Sequence, residues 1–186
     1  MAEPKTPPPA KLIVSIIFPM NPDEKESNLL ESVVCILREK FGEIDFRSEI
    51  MPFNYTKYYE KEMGENLHRQ FISFSKLVQR DELRDIKLWT NDIENKFKDE
   101  NGRRRVNIDP GLLGLENLVL ASCKNFGQRI YLGKGVFAEV TLIYRKKSFI
   151  SLPWTFPDYN SLQVKEILMK MRNILYSSVK NCQKRR

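Results

Sequence analysis

The spacing of apolar and polar residues predicts three strands in the first half of the chain. Residues 11–18 form a continuous apolar run, rich in β-branched residues, that ends at Pro19, which is typical of a central strand. Residues 44–50 alternate between apolar and charged side chains, as expected for a strand with one face in water. Residues 67–78 alternate again, and we interpret them as another strand.

Helical spacing predicts two helices around these strands. Asp23 and Glu26 resemble a capping box for the first helix, and Gly42 is placed to end it. Asp81 can cap the second helix, which residues 101–102 close. The predicted core stripes are Leu30, Val33, Leu37 and Phe41 in the first helix and Leu83, Ile86, Ile93 and Phe97 in the second.

The segment after the second helix contains one short strand and one ambiguous apolar stretch. Residues 106–108 fit a fourth strand, and Asp109-Pro110-Gly111 is expected to break the chain. Residues 112–122 fit a buried helix slightly better than a strand, but periodicity alone leaves both open.

Two hairpins and a last helix complete the pattern. Three antiparallel strands are predicted over residues 129–152, with turns at residues 133–135 and 145–147. Residues 153–159 contain two prolines, so this segment is expected to wrap an edge or cover a pocket. A final helix starts near Ser161. The sequence therefore predicts an α+β fold, with a mostly antiparallel sheet whose ferredoxin-like β-α-β-β-α core is extended by C-terminal β-hairpins and a final helix.

Length and composition predict one domain without a membrane span. With 186 residues, the chain can bury its own core. We expect a disordered, proline-rich lead-in over residues 1–10 rather than a signal peptide, a single α+β domain over residues 11–179, and a basic tail over residues 180–186. Three widely spaced cysteines favour reduced thiols and a cytoplasmic localisation.

The formal net charge of +7 is concentrated in two segments. Arg103, Arg104 and Arg105 form the first, and the cations from Lys180 to Arg186 form the second. Because these two segments account for the whole net charge, the rest of the chain is close to balanced. Such segments are either solvated surface or contacts for phosphates, so RNA binding is an alternative function.

The first C-terminal hairpin is the strongest candidate for carrying function. With a three-residue turn, Arg129 lies opposite Glu139 and Tyr131 lies opposite Phe137. A two-residue turn shifts the register and separates the charged pair. Thr141 shares the polar face with Tyr131 in either register, since side chains alternate along each strand.

This polar face has two interpretations that burial decides. On a solvated face, Arg129 and Glu139 only neutralise each other. If they are buried beneath the loop that contains Trp154, Arg129 can hold an anion, Glu139 can orient it or bind a metal, and Tyr131 can stack or donate a hydrogen bond.

Asp109 and Lys124 flank the ambiguous segment and form a second candidate group. If a helix follows Asp109, its free backbone N–H groups point towards a ligand, and Lys124 can bring a positive charge to the same place. The alternative is that Asp109 is a turn residue and Lys124 a helix-ending residue that interacts with the helix dipole.

Standard nucleotide and metal motifs are absent from the sequence. It contains no G-x-x-x-x-G-K-[ST], no G-x-G-x-x-G and no G-x-S-x-G motif, which excludes P-loop and Rossmann chemistry. With His68 as the one histidine and no C-x-x-C, a structural zinc site or a two-histidine metal site cannot be built within one chain.

Several segments, spread over nearly all of the chain, carry a family resemblance. They are residues 53–64, 87–91, 107–111, 118–121, 129–132, 138–142 and 154–159. Together they resemble a bacterial family known as domain of unknown function DUF4416. Members of that family are sometimes labelled GTP-binding, which implies a phosphate-bearing ligand. Where the family pattern usually has a histidine before the strand that begins at Arg129, this chain has Gln128.

These observations favour a cytoplasmic protein that binds a phosphorylated small molecule, such as a nucleotide, without a P-loop. Whether it also catalyses a reaction is left open. One alternative is an RNA-binding or ribosome-associated accessory protein, and another is a structural partner protein without a ligand. The expected ligand contacts are Arg129 and Lys124 for the phosphate, Tyr131 and Trp154 for the base, and Glu139, Asp109 and Thr141 for orienting the ligand or a candidate Mg²⁺.

Overall fold

The computed structural model describes residues 2–20 and 27–184, and this part of the chain contains nine strands and four helices. The strands are β1 (Ala10–Pro19), β2 (Ile44–Arg47), β3 (Met51–Pro52), β4 (Leu67–Val78), β5 (Asn107–Leu113), β6 (Asn117–Ser122), β7 (Ile130–Gly133), β8 (Val136–Arg145) and β9 (Ser148–Ser151). The helices are α1 (Ser27–Phe41), α2 (Glu60–Met63), α3 (Leu83–Lys96) and α4 (Leu162–Lys184). Within these residues, no helix is long and apolar enough to cross a membrane.

All strands join one sheet in the order β2-β4-β1-β5-β6-β8-β7, with β3 also paired to β4 and β9 to β8. The pairings between these strands are antiparallel. The first four strands, β2-β4-β1-β5, have the strand order of a ferredoxin-like unit, and β6 to β9 extend it. The predicted fold class is therefore confirmed.

Both faces of the sheet are covered, which explains the continuous apolar run in β1. Leu12, Val14 and Ile16 belong to one apolar cluster with α1 and α3, whereas Ile13 belongs to a second cluster with α4. Ile17 belongs to a third, smaller cluster with Phe53, Met63 and Leu67. The sheet is thus the middle layer between α1 and α3 on one side and α4 on the other.

The ends of the helices differ in part from the sequence prediction. The first helix buries its predicted stripe, and Gly42 follows it with a positive φ of 92°. Its proposed capping box at Asp23 and Glu26 lies outside the described residues. The Asp81 cap is wrong, because the turn before α3 is capped by Gln79, whose backbone N–H donates to Glu82 Oε1 over 2.9 Å.

Residues 112–122 form part of a β-hairpin, so of the two alternatives that the sequence left open the strand is correct, although a buried helix fitted the spacing slightly better. Asp109-Pro110-Gly111 does not break the chain, since it lies inside β5 and pairs with residues 13–15 of β1. Residues 118–121 of β6 form a continuous apolar run, because both faces of the sheet are covered around them. Such a run has no strand periodicity to distinguish it from a buried helix.

The hairpin of β7 and β8 has the register that pairs Tyr131 with Phe137. Its turn is formed by two residues, Lys134 and Gly135, both with positive φ, as in the tight turns that join antiparallel strands. A register shift at Leu132 compensates for the shorter turn. Arg129 and Glu139 therefore remain neighbours despite the two-residue turn.

Candidate functional site

The sheet splits between β5 and β6, and a cavity of about 780 Å³ opens at the split. In the described structure, the pairing of these strands stops at Gly111 and Leu120. Pro110 precedes Gly111 in β5 and has no N–H group with which to extend the hydrogen bonding between the two strands. At Gly111 the strands approach closely, since a Cβ atom there would lie 3.1 Å from the backbone oxygen of Val119 and 2.6 Å from Leu120 Cδ2.

The cavity wall combines charged and aromatic side chains from distant parts of the chain. Aromatic rings come from residues 53–59, from Phe126 and from residues 156–159, and amide side chains come from α3. The cationic residues are Arg69, Lys87, Arg104, Lys124 and Arg129. The carboxylates are Glu94, Asp109, Glu139 and Asp158. The site is therefore highly charged but close to neutral.

Arg129 and Glu139 form a buried ion pair in the cavity wall. Arg129 Nε donates to Glu139 Oε2 over 2.9 Å, and the two side chains are only 8% and 2% exposed. Arg129 Nη1 also donates to Ser122 Oγ and to the backbone oxygen of Lys124, over 2.9 and 2.8 Å. The solvated-face interpretation of this pair is thus wrong, and Arg129 links β8 to the segment after β6.

One oxygen of Glu139 is left without a donor. Oε2 accepts from Arg129 and from Gln128 Nε2, the latter over 2.9 Å. Oε1 is buried and has no hydrogen-bond partner in the described structure. Leaving a buried acceptor unsatisfied costs about 1–3 kcal/mol, so this oxygen is a candidate contact for a ligand that donates a hydrogen bond.

Asp109 is held by Lys87 and Asn107. Lys87 Nζ donates to Asp109 Oδ1 over 3.0 Å, and Asn107 Nδ2 donates to Oδ2 over 2.6 Å. Burial raises the pKa of Asp109, but Lys87 and these hydrogen bonds lower it more, so the pKa lies below its ordinary value. Burial likewise lowers the pKa of Lys87, but the charges of Asp109 and Glu94 raise it above its ordinary value. Asp109 lies within β5, so it is neither the helix N-terminus nor the turn residue that the sequence offered as alternatives.

A second network joins Arg104 to two carboxylates. Its Nε and Nη2 atoms donate to Glu62 over 2.9 and 2.7 Å, and Nη1 donates to Glu94 over 3.1 Å. Glu94 also accepts the backbone N–H of Ile108 over 2.6 Å. Burial raises the pKa of Glu94 above its ordinary value. The hydrogen bonds to Glu62 raise the pKa of Arg104.

Sequence reasoning missed most of this network. Lys87, Glu62 and Arg104 are not among the ligand contacts that the sequence predicts. The helical spacing of Lys87, Asn91 and Glu94 was the available signal, because residues four and three apart share one face. Arg104 points inward, while Arg103 and Arg105 are exposed. RNA binding therefore stays a prediction that involves at most two residues of this run.

Arg69 also lines the cavity. Its Nη1 atom donates to Asp158 Oδ2, and both side chains are buried. The guanidinium carbon lies 4.5 Å from the ring centroid of Phe53 and 5.2 Å from that of Tyr159. Burial raises the pKa of the Tyr159 phenol, which therefore stays protonated at neutral pH.

Lys124 differs from the other four cationic residues of the cavity. It has no carboxylate partner among the described residues, and its Nζ lies 3.6 Å from the ring centroid of Tyr58. It follows a strand, so its interpretation as a helix-ending residue is wrong. Lys124 is thus the one cationic residue of the cavity lining whose charge is not paired with a carboxylate among the described residues.

Three predicted ligand residues lie outside this cavity. Tyr131 is 61% exposed and packs against Phe137, with ring centroids 5.1 Å apart. Thr141 is buried at the register shift in β8, where its hydroxyl donates to the backbone oxygen of Glu139 over 3.4 Å. Trp154 Nε1 donates to the Val140 oxygen over 2.8 Å.

The structure brings the other four predicted residues together at the cavity: Arg129, Glu139, Asp109 and Lys124. In place of Trp154, Phe156 covers this region, and its ring centroid lies 5.9 Å from the guanidinium carbon of Arg129. In the described part of the chain, no three His, Cys, Asp or Glu side chains are grouped as metal ligands. The Mg²⁺ expectation stays a prediction.

The fold and the site define an α+β protein whose extended ferredoxin-like sheet is split by a charged, aromatic-walled cavity. A family model described as Domain of unknown function (DUF4416) matches residues 8–175. The chain therefore belongs to this family, which confirms the resemblance found in its sequence. No curated protein and no solved structure has a significant match to the chain.

Proposed function

We propose that the protein is a cytoplasmic binding protein for a phosphorylated small molecule, with nucleotides as the favoured class, and that the cavity at the β5–β6 split is the binding site. The observation that carries the proposal is the cavity itself. Its volume of about 780 Å³ falls within the range of pockets that enclose small organic ligands, roughly 300–1,000 Å³.

The aromatic wall supports binding of a planar ring. Tyr58 and Tyr59 line one side of the cavity, and Phe156 lines it near Arg129. Base stacking on such rings contributes about 1–3 kcal/mol per base and tolerates different bases. Asn91 and Asn95 of α3 add amide donors and acceptors that can bind the edge of the ring.

Lys124 supports binding of the phosphate. The guanidinium of Arg129 already binds Glu139, Ser122 and the backbone oxygen of Lys124. We therefore assign Lys124 to the phosphate and give Arg129 the role of positioning the segment that carries it. A phosphate at Lys124 would replace the ring of Tyr58 as the partner of the ammonium group.

Thermal unfolding with a panel of nucleotides, with and without Mg²⁺, tests this proposal. A ligand at 100 times its Kd stabilises the folded state by about 2.7 kcal/mol, which corresponds to a Tm increase of about 5–10 °C for a chain of this length. The Lys124→Ala variant should lose most of this increase. Lys170→Ala, at an exposed position on α4, is the matched control and should retain it. If no nucleotide in the panel raises the Tm, the proposal is contradicted.

A further inference from the structure

Carboxylates already neutralise four of the five cationic residues that line the cavity, so few additional negative charges can be balanced there. Arg69 pairs with Asp158, and Lys87 pairs with Asp109. Arg129 pairs with Glu139. Arg104, the fourth paired cation, binds both Glu94 and Glu62. Among the described lining residues, Lys124 alone is a cation without such a partner.

This charge balance limits the number of phosphates that the ligand can carry. A single phosphate monoester has a charge of about −1.5 to −2 at pH 7. Each further phosphate adds negative charge close to the four carboxylates of the wall, and like charges in a partly buried site repel each other strongly. One phosphate at Lys124 fits this wall better than a chain of phosphates.

Glu139 sets a second requirement for the ligand. Its side chain is 2% exposed and lines the cavity, and its Oε2 atom already accepts two hydrogen bonds. Its buried Oε1 atom accepts none. A carboxylate has no hydrogen to donate, so only a donor group on the ligand satisfies this atom. An exocyclic amino group on a nucleobase is such a donor.

We infer that the cavity selects a nucleoside monophosphate with an amino-bearing base, held by Lys124 at the phosphate and by Glu139 Oε1 at the amino group. This inference rests on the proposed function and specifies its ligand class. Lys124 and Glu139 are held next to each other by Arg129, which donates to Glu139 through Nε and to the Lys124 backbone oxygen through Nη1.

Isothermal titration calorimetry without Mg²⁺ tests the two requirements separately. AMP, GMP and CMP are each compared with their own diphosphate and triphosphate. Each is also compared with the monophosphate that lacks only the exocyclic amino group: purine riboside monophosphate, IMP and zebularine monophosphate. For the monophosphate that binds most tightly among AMP, GMP and CMP, we expect a Kd at least tenfold lower than that of its triphosphate and that of its amino-free analogue. A tenfold difference in Kd corresponds to about 1.4 kcal/mol of binding free energy.

The Glu139→Gln variant tests the role of Glu139 directly. With its amide oxygen facing Arg129 and Gln128, its amide nitrogen replaces Oε1 and offers a donor where Glu139 offers an acceptor. The variant should therefore lose the preference for the amino-bearing base. If it does not fold, the comparison between the two monophosphates on the unchanged protein still decides the question.

The possible failures are distinguishable. Equal or tighter binding of the triphosphate, or equal binding of the amino-free analogue, would overturn the inference while the protein remains a nucleotide-binding protein. If no nucleotide binds at any phosphorylation state, both the inference and the proposed function are wrong.

Discussion

Replacing Arg129 with alanine should strongly destabilise the protein, because Glu139 then remains as a buried carboxylate without its cationic partner. The two side chains are 8% and 2% exposed, and Gln128 would be the only remaining side-chain donor to Glu139 among the described residues. Removing one partner of a buried ion pair costs about 3–5 kcal/mol. This cost is a large fraction of the 5–15 kcal/mol that stabilises a typical domain.

Urea denaturation followed by circular dichroism measures this effect. The free energy of unfolding falls by about 2 kcal/mol per molar urea, so the urea midpoint of unfolding of Arg129→Ala should be about 2 M lower than that of the unchanged protein. The double variant Arg129→Met, Glu139→Met should recover much of the loss, since it leaves no unpaired charge. As a control, Arg84→Ala removes a surface arginine, 35% exposed, that pairs with the exposed Asp85, and its urea midpoint should stay unchanged. A midpoint shift below about 0.5 M for Arg129→Ala would refute the reasoning.

Three further predictions concern other parts of the cavity. Gly111→Ala should destabilise the protein by about 1–3 kcal/mol, because its Cβ would clash with β6. The control is Gly127→Ala, whose Cβ meets no atom within 4 Å and which should be neutral. Equal urea midpoints for the two variants would contradict this prediction. Asp109 has a lowered pKa in the folded state, so its stabilising contribution is present above the unfolded pKa of about 3.9 and is lost as the pH falls through the folded pKa. The unchanged protein should therefore lose more stability than Asp109→Asn between about pH 5 and about pH 3, and parallel pH profiles would argue against this assignment. Cys123 lines the cavity and Cys35 is exposed elsewhere, so a bound nucleotide should slow iodoacetamide labelling of Cys123 but not of Cys35, as measured by mass spectrometry. Equal slowing at Cys123 and Cys35 would indicate no specific protection.

Local patterns in the sequence were sufficient for most of the fold. A continuous apolar run ended by Pro19 predicted β1. Alternation and helical spacing predicted β4, α3 and the C-terminal hairpins, because the side chains of a strand or helix face the core at a fixed period. The ferredoxin-like strand order followed from the order of these elements. The sequence also singled out Arg129 and Glu139, since their positions along the hairpin make them neighbours in one register.

Only the tertiary structure decided how the site is assembled. The apolar segment 112–122 had no informative period because both faces of the sheet are covered there, so its hairpin and the split beside Pro110 were not predictable. Arg104 and Phe156 reach the cavity through contacts between segments that are far apart in the sequence, and local spacing carries no information about such contacts. The sequence by itself therefore determined most of the elements and one charged pair, whereas long-range packing determined the β5–β6 hairpin and which side chains share the cavity.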